Sequence, residues 1–263
     1  NGLTIAALAE TAGLLDRPDW LDLARGAFEA VRCHMSEGDR LFHSWRAGRR
    51  LPMAFLDDYA QMSRAALTLF QATGEKPFLD RAQAWIERCQ EEFADPEGGG
   101  WFMAPAASDG PVVRPKSAHD GPTPAAVGTL ADVLATLWHL TGEDRYRQRA
   151  EATLEAFSGD AQRSLHSHAT LLLAANMLAE ATQVVIVGDE ATPGRTELLR
   201  TAAAAPWPGR ILFPVRTGAG LPSSHPAAGK HLLGGRAAAY VCVGGTCEAP
   251  LADAEALRRR LAA

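Results

Sequence analysis

Residues 51–59, Leu-Pro-Met-Ala-Phe-Leu-Asp-Asp-Tyr, bring two carboxylates and a phenol to the point where a loop runs into an apolar stretch. A second loop carries His119 and Asp120. Carboxylates that converge on one funnel can act as general acid and base on a sugar, one of them with a raised pKa. Asp57, Asp58 and Asp120 are the candidates. Asp58 is the preferred acid or base, because it leads directly into a helical stretch, and desolvation and the Asp57 charge would both raise its pKa. His119 is a candidate proton shuttle, since an unperturbed imidazole titrates near neutrality. Aromatic rings cover the apolar face of a sugar while acids accept its hydroxyls. Tyr59, Trp45, Trp101 and Phe102 are the candidate walls.

Each of these residues has a competing structural use. An acid in the first turn of a helix caps it and meets the positive end of its dipole, which is the commoner role. Asp58 and Asp120 both precede helical stretches. His119 reads more readily as a solvated loop histidine. Trp45 with His43, and Trp101 with Phe102, read equally as plugs at the end of a helical array.

Other pairs carry less. His166 and His168 are two apart and do not share a helix face. Cys242 and Cys247 are the only close cysteine pair, and they fit a turn bearing two thiols, a redox disulfide or half of a metal site. Cys33 and Cys89 read as small core residues. Glycines 98 to 100 lack the strand–loop–helix context and the Lys-Ser/Thr of a phosphate loop. No metal site and no cofactor are therefore expected.

The elements that must hold these residues repeat. DWLDLARGAFEAV from Asp19, PFLDRAQAWIERC from Pro77 and RYRQRAEATLEAF from Arg145 share one pattern. Trp20, Phe78 and Tyr146 correspond, as do Ala24, Ala82 and Ala150, then Phe28, Ile86 and Leu154, then Val31, Cys89 and Phe157. In the first segment Trp20, Leu23, Ala24, Ala27, Phe28 and Val31 make one helical face. Another apolar helix precedes each segment, over 6–13, 59–74 and 127–142, and Thr73-Gly74 and Thr141-Gly142 read as C-terminal stops. The unit is a helical hairpin, and repetition at this period marks a hairpin array. Short and long connectors alternate. Long connectors usually carry function or short strands, so the functional surface is expected on their side.

A seventh helix is expected near 163–181. Strand patterning begins at Thr182, with strands at 184–187, 210–215 and 238–243, a helix opened by Thr192-Pro193, and a last helix over 251–261 capped near Asp253. The expected fold is mainly α: an incomplete (α/α)6-type six-hairpin toroid over 1–181, followed by a small α/β annex over 182–263.

The chain has 263 residues and a net charge of -5, with 47% apolar and 22% charged residues. That composition fits a soluble globular protein. The acidic balance, with no basic run noted beyond Arg258–Arg260, argues against nucleic acid. No apolar run reaches about 18 residues, so no membrane span is expected. No secretory signal is visible, and a cytoplasmic location is expected by elimination. The chain opens Asn1-Gly2-Leu3 without methionine, as if cut from something longer. Its expected partners are the missing N-terminal part of its own chain or another subunit, covering apolar surface left by absent hairpins.

Several motifs together carry a resemblance. FLDDY at 55–59, GGGWF at 98–102, HDG followed by a proline at 119–124, VVIVGD at 184–189, AYVCVGGTCEAP at 239–250 and the opening NGLTIAALA resemble, in order and spacing, the C-terminal part of the spermatogenesis-associated, thioredoxin-domain family. The resemblance covers essentially the whole chain. It implies a parent with an N-terminal thioredoxin-like domain and a six-hairpin toroid similar to those of sugar epimerases and certain glycosidases. The redox domain and the first hairpins are not in this sequence, and the chain has no C-x-x-C. His119 stands where that family tends to have tyrosine, and Pro124-Ala125-Ala126-Val127 stands where it tends to have Pro-Ser-Gly-Asn. A site that depends on that Ser or Asn would be weakened here. Two functions follow as expectations. One is a fragment of a protein acting on or binding a carbohydrate in a toroid funnel. The other is a non-catalytic scaffold or accessory region of a redox protein.

Overall fold

The computed structural model describes residues 1–51, 53–106, 113–205, 209–217, 221 and 225–262. Three helical hairpins follow one another: α1 (Gly2–Leu14) with α2 (Pro18–His34), α3 (Leu56–Thr73) with α4 (Lys76–Glu92), and α5 (Ala126–Thr141) with α6 (Asp144–Arg163). A seventh helix, α7 (Ala169–Glu180), has no hairpin partner after it among the described residues. The first helix of each pair lies on an inner row, where α1 packs on α3, α3 on α5 and α5 on α7.

Sequence decides which row a helix joins. Helix α5 buries residues on all its sides, from Ala126 through Leu130 and Leu134 to Leu140. A helix that is apolar all round must sit between others. Helix α2 buries only Ala24, Phe28 and Val31, a stripe that covers the inner row from outside. The three equivalent alanines, Ala24, Ala82 and Ala150, are each at most 1% exposed, because the outer helices approach most closely there. Leu23 is a correction: it is 59% exposed, and Leu21 packs against the core instead. Leu21, Ala24, Phe28 and Val31 follow the 3.6-residue period, and Leu23 falls outside that arc. Cys33 also lies exposed, while Cys89 is buried.

Gly74 and Gly142 end α3 and α5 in the left-handed conformation, at φ 74° and 73°, where a side chain would be strained. Gly128 has a different reason. A Cβ there would lie 2.9 Å from the Leu171 nitrogen and from Thr170 Cβ, so α5 and α7 touch backbone to backbone. Gly128→Ala should lower stability by about 2 kcal/mol in urea unfolding, although alanine is the better helix former, because overpacking outweighs propensity. A stabilised variant would mean that α7 can move away freely.

Two termini differ from the sequence reading. Helix α6 runs on to Arg163, the chain turns extended at Ser164 (φ -153°), and a short 3₁₀ turn, Leu165–His168, precedes α7. The helix after Pro193 begins at Arg195, because the Pro193 carbonyl accepts the Ala237 N–H and Gly194 takes φ 85°.

The long connector before α3 carries two small hairpins, β1 (Ser36–Glu37) with β2 (Arg40–Leu41) and β3 (Ser44–Arg46) with β4 (Arg49–Leu51). The C-terminal region is one sheet in the order β6-β5-β7-β8, built from β5 (Thr182–Val187), β6 (Arg210–Val215), β7 (Ala238–Val243) and β8 (Thr246–Cys247). Strand β5 runs parallel to β6, joined through α8 (Arg195–Ala204), and antiparallel to β7. Alternate residues face opposite ways. Val185, Val187, Phe213 and Tyr240 join the core of the toroid. Val184, Ile186, Leu212 and Val241 join a second core with α8 and α9 (Ala254–Ala262). Cys242 and Cys247 are register partners on β7 and β8, and their sulfurs are bonded. Among the described residues no helix is long and apolar enough to cross a membrane, and no group of three metal-ligating side chains converges.

Candidate functional site

The N-terminal ends of α1 and α3 border a cleft of about 190 Å³. Asp57, Asp58, Gln61 and Met62 reach it from α3, Gly2 and Leu3 from α1, and Phe42 from the connector. Asp58 is fixed from two sides. Its Oδ2 accepts the Phe55 backbone N–H at 2.8 Å and lies 2.9 Å from His43 Nδ1. The first bond is the N3 half of a capping box, so the capping role holds for this residue. The second was not legible, because His43 is fifteen positions upstream and only the β-hairpins bring it back. His43 also sets its ring edge-on to Phe55, 5.3 Å between centroids.

Asp57 differs. It accepts its own backbone N–H rather than that of Phe55, and it is exposed at the cleft. Surrounding protein and, next, the Asp58 charge push its carboxyl above the usual carboxylate range. The cleft therefore holds side by side a carboxylate tied to Phe55 and His43 and a more exposed one whose proton affinity is raised.

Asp120 is placed apart from this pair. Its Oδ1 accepts the Ala125 N–H and its Oδ2 the Thr170 N–H, both at 2.8 Å. One carboxylate thereby caps α5 and α7 together. Burial alone would raise it, but the backbone donors and the nearby His168 outweigh burial and hold it below the usual range. His119 is exposed beside it, edge-on to His168 at 5.9 Å. Of this loop Thr123, not Asp120 or His119, reaches the cleft lining.

The aromatic candidates also separate. Tyr59 is 1% exposed, its oxygen accepts the Leu41 N–H at 3.0 Å, and burial pushes its phenol up to about 12. Trp101 is 3% exposed and donates its indole N–H to Thr153 at 2.8 Å. Both are core residues in this structure and line neither cavity, because their polar atoms are already satisfied inside. Phe102 is part-buried under the Arg114 guanidinium, 4.1 Å from its centroid. Trp45 alone stays open, 44% exposed and stacked on His34 at 4.7 Å.

A larger cavity of about 650 Å³ runs along the inner row, lined by residues of α1, α3, α5, α7 and the annex. Asp132 of α5 faces it with Arg64 and Glu10. Burial pushes the Asp132 carboxyl up to about 6, with Arg64 pulling it back and Glu10 adding to the rise. Sequence reasoning passed over this residue, since one acid within an apolar helix gives no sign of which way it points.

No protein-family model matches the chain. Human spermatogenesis-associated protein 20 is 26% identical over 279 residues, an alignment that covers 99% of this chain and 35% of the relative. The chain thus spans about a third of the length of the curated relatives it matches. An α-mannanase of glycoside hydrolase family 76 from Bacteroides thetaiotaomicron superposes with a TM-score of 0.55 at 15% identity, over 66% of this chain and 49% of that one. A family 76 glycoside hydrolase from a bovine strain of the same species gives 0.51 at 16% identity, over 59% and 33%. At such identities the likeness is one of fold. The chain is a homologue of spermatogenesis-associated protein 20 across nearly its whole length, and its helices form an incomplete α/α toroid of the glycosidase type, with a small sheet at the C-terminus.

Proposed function

We propose that the cleft at the N-terminal ends of α1 and α3 binds a carbohydrate, and that Asp57 and Asp58 act on it as an acid and base pair. The observation that carries this reading is the unequal pair itself. Asp58 is held by Phe55 and His43, while exposed Asp57 has no such tie to another residue and its proton affinity is raised. Asp57 is the proton donor in this reading, and Asp58 is the fixed anion that stabilises developing positive charge on the sugar ring. Gln61 and Thr123 supply further polar groups on the cleft wall. The toroid likeness to an α-mannanase supports the same class of ligand by analogy of fold alone.

A panel of oligosaccharides, scored for hydrolysis and epimerisation, tests the reading. Asp57→Asn should cut turnover roughly 100-fold, the usual scale for a lost general acid, with the melting temperature unchanged. Asp58→Asn should also lose turnover, since an amide keeps the cap but not the charge. Full activity in either variant would refute the assignment. Saccharide binding without turnover in the wild type would leave a binding module rather than an enzyme.

A further inference from the structure

The β3–β4 hairpin carries positive charge that no carboxylate among the described residues pairs with. Arg46 and Arg49 face each other across its tip, and Arg50 pairs with Trp45. Among the described residues no carboxylate lies within 4.0 Å of the guanidinium of Arg46, Arg49 or Arg50. Several other surface arginines of this acidic chain are paired, Arg17 with Asp19, Arg147 with Asp144 and Glu151, and Arg260 with Glu248, whereas Arg40, at the start of the same connector, has no carboxylate within that distance among the described residues. The sequence reading missed this cluster, because Ala47 and Gly48 interrupt the basic run and only the hairpin closes it.

The cluster adjoins the cleft. The Arg50 guanidinium lies 4.9 Å from the Phe42 centroid, and Phe42 lines the cleft with Asp57 and Asp58. Arg50 is also fixed at its Nε, which donates to the His34 carbonyl at 2.8 Å. Acids therefore line the cleft, and the Arg50 guanidinium lies against its Phe42 wall, at the base of the hairpin whose tip carries Arg46 and Arg49. An anion would be repelled from the acids and held at the hairpin, where the guanidinium fork suits phosphate and carboxylate. A ligand that suits both must be neutral at one end and anionic at the other.

We infer that the β3–β4 hairpin is an anion subsite, and that the ligand of the cleft is a saccharide bearing a phosphate or carboxylate group. The sugar half of this inference rests on the function proposed above, and the anion half rests on the hairpin alone.

The test is a titration of this chain with glucose, glucose 6-phosphate, glucuronate and inorganic phosphate, read by calorimetry. The acidic sugars should bind at least ten times more tightly than glucose at low ionic strength. That preference should disappear near 1 M salt, where screening acts within about 3 Å. The Arg46→Ala/Arg49→Ala double variant, altered at two exposed positions, should lose the preference while its affinity for glucose is unchanged. Glucose 6-phosphate exceeding glucuronate, or the reverse, identifies the group. Equal binding of neutral and acidic sugars, or a preference that survives in the double variant, overturns the subsite and leaves the carbohydrate reading intact. If no sugar binds, the carbohydrate reading fails, and inorganic phosphate decides the anion half. Phosphate binding lost in the double variant supports the subsite, and no phosphate binding overturns it. A single-stranded oligonucleotide that binds the hairpin more tightly than every sugar would overturn the saccharide assignment in favour of nucleic acid.

Discussion

Asp120→Ala should lower the unfolding free energy by about 4 kcal/mol. The carboxylate accepts two backbone N–H groups, from Ala125 and Thr170, that start two different helices. Each donor left unpaired costs about 1–3 kcal/mol, and the two losses fall on α5 and α7 together. Asp120→Asn keeps one oxygen acceptor and turns an NH₂ toward the other donor, so it should cost about half as much. The pH dependence has a definite sign. The folded-state pKa of Asp120 lies below its ordinary value of 3.8, so its stabilisation is present above that pH and is lost as pH falls through the folded value. Urea unfolding at pH 7 and at pH 3 checks both points. A proton shuttle would behave differently, since the Asn variant would keep its stability and lose turnover. Equal stability of the wild type and both variants would remove the clamp.

What could be read in the chain, and what could not, follows the range of the interactions. The glycine stops at Gly74 and Gly142 were legible, because a left-handed residue after an apolar helix is a local demand. So were the outer-helix contacts through Ala24, Ala82 and Ala150, because one repeated spacing buries all three. The Asp58 cap was legible in its position, three residues beyond Phe55. Its His43 partner was not, and neither was the Thr170 donor to Asp120, fifty residues away. Trp101 looked like a cleft wall because it is an aromatic residue on a long connector, yet its indole N–H points inward to Thr153. Connectors show which residues could converge, but their side chains turn in or out according to contacts made by distant helices. The sheet was read more closely, with 210–215 and 238–243 as observed, since short apolar runs bounded by breakers mark buried strands, while the β-branched run at 184–187 extends two residues further back, to Thr182.

Asp132→Asn should make the protein more stable at pH 7 by as much as about 3 kcal/mol, and should leave it unchanged near pH 3. Asp132 sits on α5 among residues of the toroid core. Its surface is only partly covered by contact, because it faces the open space of the larger cavity. Water in that space would soften the effect, so the figure is an upper bound. Burial raises the carboxyl from 3.8 to about 6, against the pull of Arg64 and with a push from Glu10. A raised folded-state pKa means that the protonated form is favoured by folding. The stability this contributes is complete below pH 3.8 and is lost as pH rises through about 6. At 1.36 kcal/mol per unit, the shift corresponds to the bound given above. Asparagine keeps the shape of the protonated acid and cannot ionise, so the difference between the two proteins isolates this one group. Urea midpoints at intervals from pH 3.5 to 8 should diverge across pH 4 to 6 and run parallel above. Midpoints that stay parallel throughout would mean that Asp132 ionises as freely in the folded chain as in water. In that case the cavity would be an open channel rather than an enclosed pocket.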